Sequence, residues 1–352
     1  MNIDQLTCYS NYALYRLPEH DSCTLLAQTQ GEPQVVEAVS QLAGRKGFVM
    51  APFEPTASHP ILLMQPDVVE TMAVEGEAAD EAGVDPATDD ADGREAYHRG
   101  VERFHAELAT GRVGKLVLSR CVRQQMPGDM DVRRLFMQAC RRYPHQYIAL
   151  VSMQRSGTWL MATPEVLLDG DGRHWHTMAL AGTMRMGGGG TAMEGVEWSE
   201  KNKAEQQYVS RYIEEILSRL ATDVKMHGPY TTMAAHLLHL RTDFGFTLPH
   251  GDGLGRLLDA LHPTPAVCGM PKAAARRFIV SHESVDRAYY SGFCGPLDLQ
   301  GATHLYVSLR CMAIEGRQCS LYAGGGLLCE SVEQQEWQET QTKLQTMRRL
   351  LT

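Results

Sequence analysis

The chain of 352 residues has no apolar run approaching the roughly 20 residues that cross a bilayer. Its start, MNIDQLTCYSNYALYRLPEH, lacks the basic flank and apolar stretch of a signal peptide, so the cytoplasm is the expected location and no membrane partner is expected. Paired cysteines are missing as well. The nine cysteines are odd in number and none has C-x-x-C spacing, which argues against a disulfide framework and a zinc site and leaves most of them as small buried apolar residues. Positive charge is short: 33 Lys and Arg stand against 42 Asp and Glu, a net charge of -9, with no basic stripe. Nucleic acid is therefore excluded as the main partner, because phosphate binding needs a basic surface. Neither glycine-rich stretch that follows a strand reads G-x-G-x-x-G, so a dinucleotide fold gains no support.

What is present has the length of about two domains, or of one large sheet-rich domain. From Glu75 to Asp92 eight acidic residues occur with no basic one. Such a stretch repels itself and buries little, so residues 74–95 read as a solvated loop between residues 1–73 and the bulk of the chain, 96–352. Gly187–Gly190 reads as an exposed loop tip. A helix is expected near 95–110 and strands over Val113–Val122, Glu165–Leu168 and His174–Ala181. Tyr147–Met153 and Thr158–Ala162 read as a hairpin, and so do His304–Ile314 and Gln318–Ala323 around Glu315-Gly316. Helical periodicity covers 200–220 and 332–350, with capping-box spacing at Ser331 and Gln334. Hairpins dominate and strands do not alternate with helices. The expected fold class is α+β, with large mixed or antiparallel sheets and surrounding helices.

Asn202 and Glu205 share one helix face; Glu336 and Glu339 share another, with Lys343 one turn further on. Facing helices would bring oxygen ligands suited to Mg²⁺ together, although solvated helix faces look the same in sequence. Lys115 lies in a strand among Val117, Ser119 and Cys121. In a partly apolar site its pKa would fall from about 10.4 and let it act as a base; an edge-strand lysine that blocks aggregation is the plainer reading. Arg310 shares a strand face with Tyr306 and Ser308, where it could fork a carboxylate or simply lie at the surface. Gly182 and Gly324 each follow a strand, where backbone can approach a ligand closely or only turn.

Together and in this order, KLVLSR (115–120), TPEVLL (163–168), LAGT (180–183), SEKNKAEQQYV (199–209), HPTPAVCGMPK (262–272), DRAYYSGFCG (286–295), VSLRC (307–311), LYAGGG (321–326) and EWQETQTK (336–343) resemble the chorismate-utilising enzymes. Residues 1–73 resemble them only loosely. The resemblance implies one chorismate-binding domain over 1–352 with the fold of anthranilate synthase component I. Within the family the chain is most similar to isochorismate synthases. It has Lys115 where anthranilate synthases have Gln, and Leu180 where aminodeoxychorismate synthases carry a lysine.

What the resemblance implies for the site is specific. Lys115 is the base that activates water and Glu165 the acid that protonates the departing C4 hydroxyl. Glu205 and Glu339 are direct Mg²⁺ ligands, supported by Asn202 and Glu336. Gly182, Thr183, Ala266, Tyr290, Arg310, Gly324 and Lys343 hold the carboxylates of chorismate. Asn202 and Gln206 depart from the family, which more often has an acid and a histidine there. The implied activity is Mg²⁺-dependent isomerisation of chorismate for menaquinone, by a monomer without an obligate protein partner. Salicylate synthase is the neighbouring alternative, and an inactive chorismate-binding protein the more distant one.

Overall fold

The structure is a computed structural model that describes residues 6, 8–74, 76, 91–128, 130–185, 196–234, 237–249 and 253–352. Residues 75 and 77–90 of the acidic stretch and the loop tip Gly187–Gly190 lie outside the described residues, while residues 91–95, expected as loop, belong to the first helix. In chain order come β1 (Tyr12–Arg16), β2 (Ser22–Ala27), β3 (Gln34–Val36), β4 (Gly47–Ala51), β5 (Ile61–Met64) and β6 (Val68–Ala73). Helix α1 (Ala91–Ala109) leads to β7 (Lys115–Gln125) and α2 (Val132–Arg142). Then follow β8 (Tyr147–Met153), β9 (Gly157–Thr163), β10 (Val166–Gly170), β11 (His174–Arg185) and α3 (Glu200–Leu220). The chain continues through β12 (Thr222–Ala234), β13 (Leu237–Thr247), α4 (Gly253–Leu261), β14 (Gly269–Met270) and α5 (Lys272–His282). It ends in β15 (Phe293–Leu297), β16 (Thr303–Val307), β17 (Cys311–Glu315), β18 (Gln318–Leu327) and α6 (Glu333–Arg348).

The strands form two nine-stranded sheets. One runs β14-β7-β18-β17-β9-β8-β1-β2-β6 and the other β12-β13-β11-β10-β16-β15-β4-β5-β3. Every pairing among the described residues is antiparallel. The first six strands complete one end of both sheets.

Alternation along each strand explains the layering. In β8, Tyr147, Ala149 and Val151 face the core between the sheets, with Phe48, Met50 and Tyr306 of the second sheet. Ile148 and Leu150 point the other way, onto Leu135 and Phe136 of α2 and Leu344 and Met347 of α6. The second sheet has its outer face on Val209, Ile213 and Leu217 of α3 and Leu257 and Leu258 of α4. The result is helix, sheet, sheet, helix, with the central strands apolar on both faces. Six of the nine cysteines are buried and all nine are unbridged.

Two local expectations need correction. His304–Ile314 is not one strand. β16 belongs to the second sheet and β17 to the first, and the chain crosses between them at Ser308–Arg310, where Arg310 takes φ 45°. The hairpin around Glu315-Gly316 is formed by β17 and β18 alone. The helix α6 starts without a side-chain cap, its N-cap being Val332. The Ser331 hydroxyl instead accepts from Leu328 N at 3.1 Å, closing the turn before the helix.

Candidate functional site

The crossing between the sheets makes the site. Ser308 is locked by Ser308 N donating to Gly292 O and Ser291 N donating to Ser308 O, both 2.9 Å. Arg310 follows in a left-handed backbone that favours glycine, a conformation the surrounding structure must hold. Its side chain is buried, which settles the choice between surface and pocket, and Nη2 approaches His239 Nε2 at 3.1 Å. The cavity beside it is lined by Glu165, Gly182, Thr183, Glu205 and Ala266. Tyr290, Arg310, Gly324 and Lys343 complete its predicted wall. Burial brings the Arg310 guanidinium down to about 10, and Glu339, Tyr290 and Glu165 oppose that fall.

Glu165 lies between Thr163 of β9 and β10, 2% exposed, with Thr264 Oγ1 donating to its Oε1 at 3.2 Å. Burial raises its pKa to about 7, against the opposing pull of Thr264, Lys115, Lys343 and Arg310. The block after α4 holds Thr264 in place. Buried His262 bonds Pro52 O through Nε2, and Lys272 Nζ donates to the carbonyls of Asp259, Ala260 and His262. The turn that carries Ala266 closes through Val267 N and Cys268 N donating to Thr264 O.

Gly182 interrupts β11 with φ 67° and a register shift between Ala181 and Thr183. A Cβ there would also press on Asn202 Cβ at 3.2 Å, so the glycine serves both the bulge and the approach of α3. On β18 the glycines leave room for functional side chains. A Cβ on Gly324 would meet the Tyr290 hydroxyl at 2.7 Å, and one on Gly326 would collide with Glu205 Oε1 and reach Lys115 Cε at 3.0 Å.

Lys115 opens β7 between β14 and β18, so it is an interior strand residue and not an edge guard. It is fully buried, and Nζ lies 3.0 Å from Glu205 Oε1. That contact is close in distance but not aligned as a hydrogen bond, since Nζ has no hydrogen-bond partner.

Glu336, Glu339 and Asn202 border a second, wider cavity that shares Thr183 with the first. Helices α3 and α6 meet here through Lys201 Nζ, which donates to Glu336 Oε1. Lys343 Nζ sits 2.7 Å from Glu339 Oε1 and donates to Gly324 O at 2.9 Å. Each of the three carboxylates thus has a lysine against it. Burial pushes Glu205 up, but Lys115, Lys201 and Lys343 together outweigh it and hold the group below its ordinary value. Glu336 goes the other way, to about 7, because burial and Glu339 outweigh Lys201.

The donor set fits a hard divalent cation. It consists of carboxylate and amide oxygens, and Glu336 Oε2 is buried without a hydrogen-bond partner. Convergence is less complete than facing helices suggest. Among the described residues no three Cys, His, Asp or Glu side chains stand close enough to cage a metal.

Three residues of the site escape the sequence reading. His239 on β13 bonds Gly182 O through Nδ1 at 2.8 Å and meets Arg310 through Nε2, so it ties the bulge to the arginine. Thr264 and Lys201 fall inside blocks that resemble the family, but no spacing singles them out. Gln206 is buried, donating through Nε2 to Ala179 O and Thr242 Oγ1, both at 3.1 Å.

The fold has known counterparts. The family model described as chorismate binding enzyme matches residues 65–352. Isochorismate synthase EntC of Escherichia coli (strain K12) is 31% identical over 256 residues, covering 71% of this chain and 66% of that protein, a little under two thirds of its length. Among solved structures, MenF, the menaquinone-specific isochorismate synthase from Escherichia coli, superposes with a TM-score of 0.78 at 22% identity over 98% of this chain and 89% of that one. Anthranilate synthase component I from Streptococcus pneumoniae TIGR4 gives 0.61 at 21% identity over 72% of this chain and 57% of that one. These two likenesses bear on fold, and they agree with the α+β class.

Proposed function

Because this chain belongs to the family of chorismate binding enzymes, we propose that it is an isochorismate synthase, which adds water at C2 of chorismate and expels the C4 hydroxyl. The observation that carries the reading is Glu165: a buried carboxyl pushed up to about 7 near Arg310 and Lys343, so that a protonated acid persists where anions bind. Identity to a named isochorismate synthase supports it.

Arg310 and Lys343 provide positive charge for the two substrate carboxylates, and Tyr290 with the backbone at Gly182, Thr183, Ala266 and Gly324 shapes their seats. Lys115, which lies against Gly326 of the cavity wall, must first give up its ammonium proton, and its neutral Nζ then takes a proton from the attacking water. As the new C2–O bond forms, both ring double bonds shift, C1=C2 to C1=C6 and C5=C6 to C4=C5, and the C4–O bond breaks. Glu165 gives its proton to the departing hydroxyl, so one water is consumed and one released. Mg²⁺, held by Glu205 and Glu339 with Asn202 and Glu336 in support, would neutralise the ring carboxylate and draw electron density from the ring.

We extend the proposal to the menaquinone branch, for which one structural neighbour is named. Complementation of a strain lacking only that synthase checks this step. The central test is incubation of purified protein with chorismate and Mg²⁺, followed by chromatography with an EDTA control. Isochorismate that appears only with Mg²⁺ supports the reading. Salicylate with pyruvate would move it to a bifunctional synthase, and no turnover would leave a binding protein.

A further inference from the structure

Lys343 lines the inner cavity and Lys115 lies against Gly326 of its wall, and the proposed chemistry uses both. Lys201 has no part in it. It lies in the first turn of α3, lines only the outer cavity, and donates to Glu336 across the gap between α3 and α6. Its side chain is 19% exposed, against 50% for Lys203 two residues on, which pairs with Glu200 at the surface.

Lys201 Nζ forms an ion pair with Glu336, a carboxylate that the magnesium reading places in support of the metal. It uses Glu336 Oε1, while Oε2 of the same group stays unbonded.

We propose that Lys201 is a built-in competitor of the divalent cation: its ammonium neutralises Glu336 between α3 and α6, and a metal ion engages that carboxylate only by displacing the lysine into the outer cavity. The inference rests on the magnesium reading above. The residue carries a clear trade-off. It spares the fold an unpaired buried carboxylate at Glu336, and it weakens metal affinity by a contact that must first be broken. The outer cavity, bordered by Met184, Ser199 and Leu237, gives the displaced chain room.

The test is calorimetric titration of EDTA-stripped, desalted protein with Mg²⁺, comparing wild type, Lys201→Met and Lys203→Met. Lys201→Met is expected to bind Mg²⁺ about tenfold more tightly or better, as when one charge-assisted contact no longer opposes binding, with Lys203→Met unchanged. Equal affinity in all three, or weaker binding by Lys201→Met, overturns this inference and leaves the magnesium reading intact. Binding by none removes both. Should Lys201→Met fail to fold, acetylation of wild-type Lys201 followed by mass spectrometry serves instead. Modification should rise several-fold when Mg²⁺ is added, and unchanged labelling overturns the inference.

Discussion

Lys115 Nζ and Glu205 Oε1 lie 3.0 Å apart in a buried ion pair, and Gly326 is the residue whose missing side chain gives them the space. A methyl group at 326 would fall on the Glu205 oxygen and crowd Lys115 Cε. Gly326 is not among the residues with positive φ, so Gly326→Ala brings no backbone strain and acts through this displacement. Turnover of chorismate should fall by about 100-fold, the cost of moving a reacting group by roughly an ångström. Gly325→Ala is the matched control. Its Cβ would meet Glu336 Oε2 at 3.4 Å and Thr340 at 3.8 Å, close to ordinary contact, and activity should stay within a few-fold of wild type. Steady-state kinetics on both variants check the contrast.

Glu165→Gln should lose about 100- to 10,000-fold in kcat, the usual range for a missing general acid. Its stability should move the other way. The folded pKa, about 7, lies above the ordinary 4.5, so the favourable contribution is fully present below pH 4.5 and is lost as pH rises through about 7. Above that, the wild type carries a buried carboxylate at a cost on the order of 3 kcal/mol, which the glutamine avoids. Urea unfolding should find the variant more stable than wild type at pH 8, with the gap closing by pH 5.

His239 is a positioning residue. Its Nδ1 is bonded to Gly182 O, which leaves Nε2 as the acceptor facing Arg310 Nη2. His239→Ala frees the guanidinium that is proposed to hold a substrate carboxylate. KM for chorismate should rise by about tenfold or more while kcat changes less, because binding is weakened in ground and transition states alike. A purely structural role would instead lower the amount of active protein and leave KM unchanged. His239→Gln, which can donate to one partner and accept from the other, should recover part of the loss.

The legible parts of this protein are those written in short, contiguous stretches. The hairpin of β8 and β9 shows as two β-rich runs around Arg155-Ser156-Gly157, and α3 shows through Val209, Ile213 and Leu217. Glu165 and Lys115 are legible through their blocks. The crossing at Ser308–Arg310 is not, because apolar alternation continues through HLYVSLRCMAI without a glycine or proline to mark the change of sheet. Strand β12 is hidden by Gly228-Pro229, a pair that argues against a strand and sits at a register shift on the sheet edge. His239 has no local signal, since its partners Gly182 and Arg310 are distant in sequence. Lys201 is a charged residue on a helix that reads as solvated, and only α6 packed across from it shows otherwise.

Thr264→Val tests which group sets the alkaline limb of the pH profile. Thr264 Oγ1 donates to Glu165 Oε1 and so lowers the pKa that burial raises. Without the hydroxyl the carboxyl should hold its proton to higher pH, and the limb of kcat against pH should move upward from about 7. Glu336 also titrates near 7, under the control of burial, Glu339 and Lys201. A limb that belongs to Glu336 should ignore Thr264→Val, because the Thr264 hydroxyl bonds Glu165. An upward shift in Thr264→Val, together with loss of the limb in the residual activity of Glu165→Gln, assigns the proton to Glu165. An unmoved limb in both variants would take the acid role away from it.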